Sequence, residues 1–294
     1  MPVFEFEQGG VANWLIDLPV RGFFALFRLL PHRTGLAIVG WVSSRLLAAP
    51  FGVNRRIREN LALVWPELPA EEVRALCRQV ADNSARLMLE SFNTARFLDH
   101  AAAAELTGPG KATLLNALAD KRPVILVSGH FGNYQVLRVL LQKAGYATAA
   151  IYRPMNNAYS NRRYIDAMNR IAGPNHPRGM VGTKALLVHL RQGGAIALLN
   201  DQGALEGKVL TFFGHEALTM TSAADFALRH EALLIPYYGL RLENGVDFRV
   251  IVEDPVPHSD AETMTQSLND SLEAMVRAHP GQWFWIHRRW KRWD

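Results

Sequence analysis

A histidine two residues beyond a buried strand is the group in this chain best equipped to move a proton. In Val124–Gln135, VILVSGHFGNYQ, four apolar residues, three of them β-branched, read as a buried strand. Ser128-Gly129 end it, and Asn133 is placed to cap an apolar helix running to about Ala144. His130 therefore lies in the turn at the carboxyl end of a strand, where open α/β sheets hold their ligands. An imidazole there suits general-base work, because its ordinary pKa is close to neutrality.

Further polar groups follow other candidate strands. Tyr152-Arg153-Pro154 closes one, and Asn200-Asp201-Gln202-Gly203 closes the strand Ala195–Leu199. Thr211-Phe212-Phe213-Gly214 precedes Thr219 and Thr221, and Gln282 to Lys291 interleaves tryptophans with His287, Arg288 and Arg289. Each has a structural explanation when taken alone. Asn-Asp-Gln-Gly is good turn chemistry, and a tryptophan–arginine run can be an edge with rings inside and guanidiniums outside.

The elements that must position these groups alternate. Helices are expected over 54–64 and 69–99, with an alanine-rich continuation at 101–105 and a break at Gly108-Pro109-Gly110. Beyond it come strand 124–128, helix 133–144, strand 147–152, helices 159–171 and 183–191, strand 195–199, helix 222–230, strands 233–239 and 247–252, and helix 261–278. This order predicts an α/β fold: a mixed, mainly parallel central sheet flanked by helices.

The 294 residues carry 49% hydrophobic side chains, a net charge of +5 and a single cysteine, Cys77. An intramolecular disulfide and a cysteine-rich zinc cluster are thereby excluded, and the positive charge suits anionic partners. Glu5 and Glu7 stand where a signal peptide would be basic. Val11–Leu30 contains Asp17, Pro19, Arg21 and Arg28, and Leu36–Phe51 contains Arg45, so neither is an uninterrupted span of roughly 20 apolar residues. Trp14, Leu15, Leu18, Phe23, Phe24, Phe27 and Leu30 among arginines fit a helix lying in a membrane interface, or an ordinary amphipathic core helix. Two regions are expected: N-terminal hydrophobic, membrane-associating helices over 1–53 and an α/β domain over 54–294.

In order, Gly-His-Phe-Gly-Asn, Tyr-Arg-Pro, Asp-Gln, Phe-Phe-Gly with threonines, and Trp-x-His-x-Arg-Trp-Lys resemble one family. The chain is similar to the late (lauroyl/myristoyl) acyltransferases of lipid A biosynthesis, within the lysophospholipid acyltransferase superfamily, over about 55–290. The resemblance implies acyl transfer from a thioester, on acyl carrier protein or coenzyme A, to a hydroxyl of a lipid acceptor at the cytoplasmic face of a bacterial inner membrane. It implies His130 as general base, oriented by an acidic residue five positions on. Arg153 would be a cationic contact to donor or acceptor phosphate, and Asn133, Asp201 and Gln202 would line the cleft. Phe213 would shape an apolar pocket, Thr219 would set its loop, and His287 and Arg289 would anchor an anionic headgroup. No cofactor, metal or nucleic acid is expected.

One position departs from that pattern: the expected acidic residue is Gln135. A glutamine oxygen can still accept from the ring, but it brings no charge to an imidazolium. Three explanations stand: a glutamine put in place of a natural glutamate, a borrowed carboxylate with Asp201 the first candidate, or a protein that binds lipid without turning it over. A lysophospholipid or amino-acid-containing lipid is an alternative acceptor. An α/β-hydrolase is disfavoured because no Gly-x-Ser-x-Gly elbow occurs. His100 and Glu105 also match the five-residue spacing but lack the strand and glycine turn, and are taken as coincidence.

Overall fold

A computed structural model describes residues 9–291; Glu5 and Glu7 lie outside them. The helices are α1 (Val11–Leu29), α2 (His32–Val42), which runs into a π-helical turn at Ser43–Leu47, α3 (Val53–Val64), α4 (Ala70–Phe92), α5 (Thr94–Ala102), α6 (Lys111–Ala119), α7 (Val136–Lys143), α8 (Ala158–Ile171), α9 (Met180–Arg191), α10 (Ser222–His230) and α11 (Ala261–Ala278). The strands are β1 (Glu105–Thr107), β2 (Val124–Ser128), β3 (Thr148–Tyr152), β4 (Asn175–Pro177), β5 (Ala195–Leu199), β6 (Lys208–Phe212), β7 (His215–Thr219), β8 (Leu233–Arg241) and β9 (Phe248–Val252).

Seven strands form one sheet in the order β1-β9-β8-β2-β5-β3-β4, and only the β8–β9 pairing is antiparallel. The expected mixed, mainly parallel sheet is therefore present. Every residue of β2 is buried, as a central strand covered on both faces must be. One face packs Leu126, Val136, Leu137, Val139 and Leu141 against α5 and α7. The other packs Ile125, Val127 and Ile196 against α9, α10 and α11 through Leu186, Leu190, Ala224 and Leu268. In β2 and β5 the register sets Ser128 opposite Leu199, so the chains leave the sheet side by side.

Several elements differ from the sequence reading. The helix expected over 69–99 is two helices, α4 and α5, separated at Asn93, whose backbone (φ −103, ψ 56) leaves the helical region. The alanine-rich run stops at Ala102, and Glu105–Thr107 instead pairs with β9 as an edge strand. His100 and Glu105 answer different partners, Asp247 at 2.8 Å and Arg249 at 3.1 Å, which fits the view that their spacing is coincidental.

The hairpin β6–β7 was not expected. Its two turn residues, Phe213 (φ 53) and Gly214 (φ 75), both take positive φ, as the tight hairpin turn that matches strand twist requires. The Phe-Phe-Gly motif is therefore a turn. Phe213 is buried against Trp65, Trp285 and Trp290 rather than lining an open pocket.

No helix among the described residues is long and apolar enough to cross a membrane. α1 nonetheless leaves Val11, Leu15, Ile16, Leu26 and Leu29 largely exposed, and Trp41 and Phe51 follow. Asp17 on the opposite face of α1 is buried and binds both Ser160 and Arg163 of α8. Its carboxyl is held below the usual range, by the Arg163 hydrogen bond above all.

Candidate active site

His130 stands two residues past the last residue of β2, and Asp201 two past the last residue of β5. In-register parallel strands that end together therefore bring an imidazole and a carboxylate into contact. His130 Nδ1 lies 2.7 Å from Asp201 Oδ1, and the His130 backbone N–H donates to Asp201 Oδ2 at 2.7 Å. Trp283 Nε1 donates to the same Oδ2 at 2.9 Å. A carboxylate accepts three such bonds comfortably.

Asp201 is fully buried, which alone would raise its pKa. The charge and hydrogen bonds of His130 outweigh burial and hold the carboxyl well below the usual range. It is thus anionic, and an anion on Nδ1 places the ring proton there and leaves Nε2 as the lone-pair nitrogen. The His130 side chain keeps 22% of its surface, so a substrate can reach the ring. Nε2 has no partner among the described residues.

The turn itself is held by close backbone contacts. Gly132 takes φ +52, and a Cβ there would lie 2.1 Å from Gly239 O. Its N–H donates to Gln282 O, while Phe284 N–H donates to His130 O, so the C-terminal segment is stitched to the turn. That stitching sets His287 beside His130, ring centroids 4.7 Å apart. Gln202 Nε2 is 3.3 Å from His287 Nε2. His130, Asp201 and His287 form a group whose ligand atoms all lie within 4.8 Å of one another, but the Asp201 oxygens are already engaged by N–H donors.

The other sequence candidates fall elsewhere. Gln135 does not touch His130. It is buried beneath the turn, where its Oε1 accepts from Arg138 Nη1 at 3.0 Å and its Nε2 donates to Met168 Sδ. Asn133 does not line the cleft either: its side chain bridges buried Glu90, at 2.9 Å, and the Gln135 amide, and makes a turn rather than the cap of α7. Thr219 and Arg289 are buried against each other, Arg289 Nη2 donating to Thr219 Oγ1 at 2.6 Å and Nη1 to Leu218 O at 2.7 Å. Burial lowers Arg289 to about 10, with Asp201 opposing. These five side chains, with Phe213, brace the site from inside, because their polar atoms or rings are committed to internal partners. Arg153 is exposed at the end of β3, two strands from β2 on the same edge of the sheet. A broad groove of about 1070 Å³ between α2, α4 and the end of β8 backs onto the turn through Asn83 and Gln282, and His130 does not line it.

Arg138 explains why position 135 matters. This guanidinium is buried and donates to Gln135 Oε1, Thr148 O, Ala172 O and Asn175 Oδ1, none of them a carboxylate. Burial depresses its pKa. Gln135→Glu would supply the missing countercharge to Arg138 and nothing to His130. The expected result is a gain of about 1–3 kcal/mol in stability, the converse of stranding a buried charge, with the transfer rate within about threefold of the parent. Thermal denaturation and initial rates measure both. A tenfold faster enzyme of unchanged stability would instead return residue 135 to the His130 relay.

Comparison with known proteins agrees with this geometry. The family model for bacterial lipid A biosynthesis acyltransferases matches residues 9–292. A lipid A biosynthesis lauroyltransferase of Escherichia coli (strain K12) is 24% identical over 243 residues, covering 80% of this chain and 78% of that protein. A lipid A biosynthesis palmitoleoyltransferase of the same strain is 24% identical over 256 residues, covering 83% and 81%. A match spanning nearly the whole described chain, with the histidine turn inside it, places this protein in the bacterial lipid A biosynthesis acyltransferase family.

Proposed function

We propose that the protein transfers a fatty acyl chain from a thioester, carried by acyl carrier protein or coenzyme A, to a hydroxyl of a lipid A precursor, with His130 as general base. The observation that carries this reading is the 2.7 Å contact between His130 Nδ1 and buried Asp201, which leaves Nε2 facing outward as the basic nitrogen. A lipid hydroxyl is a weak nucleophile at neutral pH. Nε2 accepts its proton as the oxygen attacks the thioester carbonyl, and Asp201 stabilises the imidazolium that forms. Collapse of the tetrahedral intermediate expels the thiolate, which takes the proton back from His130.

Arg153, exposed on the same edge of the sheet, is suited to a phosphate of donor or acceptor. The uncovered apolar residues of α1 and α2 support an interfacial role for residues 1–53, which would hold the cleft of residues 54–294 at the bilayer surface where a lipid acceptor lies. The bacterial inner membrane, cytoplasmic face, is the corresponding location.

The test supplies lauroyl and palmitoleoyl thioesters of acyl carrier protein and of coenzyme A. Acceptors are a lipid A precursor with a free hydroxyl and, separately, lysophosphatidylethanolamine and an ornithine lipid. Mass spectrometry is expected to show one new acyl ester on the lipid A precursor. Acylation of a different acceptor alone would overturn the substrate assignment, and no product with any pair would overturn the activity.

A further inference from the structure

The turn that carries His130 has no backbone donor to offer a substrate. The N–H groups of residues 130, 131, 132 and 133 already donate to Asp201 Oδ2, Gly129 O, Gln282 O and Gly239 O. A thioester carbonyl oxygen gains negative charge under attack and needs a donor at about 3 Å. That donor must be a side chain. Ser128 and Asn200 each have a buried polar atom without a partner, but they line a small cavity of about 10 Å³ against Leu268, Asn269 and Leu272 of α11. Tyr134 meets His130 edge-on, yet its hydroxyl is surrounded electrostatically by Tyr164 and Tyr237. Arg153 is two strands away.

We infer that His287 is a second catalytic imidazole, whose N–H donates to the thioester carbonyl oxygen while His130 Nε2 takes the hydroxyl proton. The inference rests on the acyl transfer proposed above and assigns a role within the same site. Its geometry is fixed before substrate arrives. Asn60 Nδ2 donates to Trp285 O at 2.6 Å and to His287 O at 2.8 Å, anchoring the segment to α3. Phe284 meets the His287 ring edge-on at 4.5 Å. With the Gln202 carboxamide nitrogen donating to Nε2, the single proton of the neutral ring sits on Nδ1.

Charge favours this division of labour. Burial lowers the His287 pKa to about 4, against an opposing pull from Asp201. His287 is therefore neutral at the pH where His130 must act as a base. A second imidazolium would oppose the charging of His130 in the transition state, whereas a neutral N–H meets the oxyanion without that repulsion. The hydroxyl proton goes to His130 as the O–C bond forms, and the carbonyl π pair moves onto the oxygen that His287 faces. When the C–S bond breaks, the pair returns, the thiolate takes the proton from His130, and His287 ends as it began.

The test uses the full chain with saturating lauroyl-acyl carrier protein and the lipid A precursor. His287→Ala is expected to lower kcat by about 10²–10³-fold, the usual loss for one such donor, with both KM values within about threefold. His287→Gln, which keeps an N–H donor, is expected to recover at least about tenfold of that loss. Added imidazole is expected to raise the His287→Ala rate and leave the parent unchanged. A kcat for His287→Ala within about fivefold of the parent, or a loss confined to KM, overturns the inference. If His287→Ala does not fold, His287→Gln against His287→Leu decides by the same criterion. A parent enzyme without transfer overturns the proposed function and this role together; an active parent indifferent to His287 overturns the role alone.

Discussion

Asp201→Asn is expected to lower acyl transfer by about 10³–10⁴-fold, the scale of the comparable change in a serine-protease triad. Three N–H donors converge on this carboxylate: the His130 ring, the His130 backbone and the Trp283 indole. An asparagine has one acceptor oxygen and two N–H donors of its own, so it cannot accept all three bonds. If its oxygen stays with the backbone and the indole, its NH2 group meets His130 Nδ1 and drives the ring proton to Nε2. The base is then capped by its own proton, and no anion stabilises the imidazolium. His130→Ala is expected to cost a similar factor. The double variant should cost about the same as either single change, because base and orienter act as one unit. Initial rates of the three variants, with circular dichroism as the control for folding, measure this. Asp201→Asn within about tenfold of the parent would remove Asp201 from the relay.

That prediction also shows what one sequence could reveal. The fold class was legible because buried parallel strands are short apolar runs and the helices between them are amphipathic, as in Val124–Ser128 and Ala195–Leu199. His130 and Asp201 were both visible as polar residues just past such runs. Their contact was not, because it depends on β2 and β5 being neighbours in register, with Ser128 opposite Leu199. Gln135 drew attention through spacing along the chain. Its side chain lies under the turn on Arg138, and no local pattern indicates which buried cation a glutamine faces.

Arg289 illustrates a second limit. Among tryptophans and two other cations it resembled a headgroup anchor, yet its guanidinium turns inward onto Leu218, Thr219 and Asn269. Hydropathy gives the composition of an edge and not the direction of each side chain. The hairpin β6–β7 went unseen for a related reason. Its turn places a phenylalanine at positive φ, held there by aromatic packing that local turn preferences do not anticipate.

The bracing behind the turn yields the second large effect, on stability. Glu90 is fully buried, and Arg241 meets it with two parallel bonds, Nη1 to Oε1 at 2.6 Å and Nη2 to Oε2 at 2.7 Å. Arg241 Nε donates to Asn83, whose amide reaches Gly132 O, and Glu90 also accepts from Asn133 in the catalytic turn. Arg241→Met would fill much of the space but strand an anion in the interior. The expected loss is about 3–5 kcal/mol, the usual result of removing one partner of a buried pair. Adding Glu90→Leu removes the stranded charge, so the double variant should be more stable than Arg241→Met. Its recovery should stay incomplete, because Asn83 and Asn133 still lose partners. Denaturant titration of the single and double variants reads both effects. If Arg241→Met lost less than about 1 kcal/mol, or if the double variant were the less stable of the two, the pair would not be what holds the histidine turn against β8.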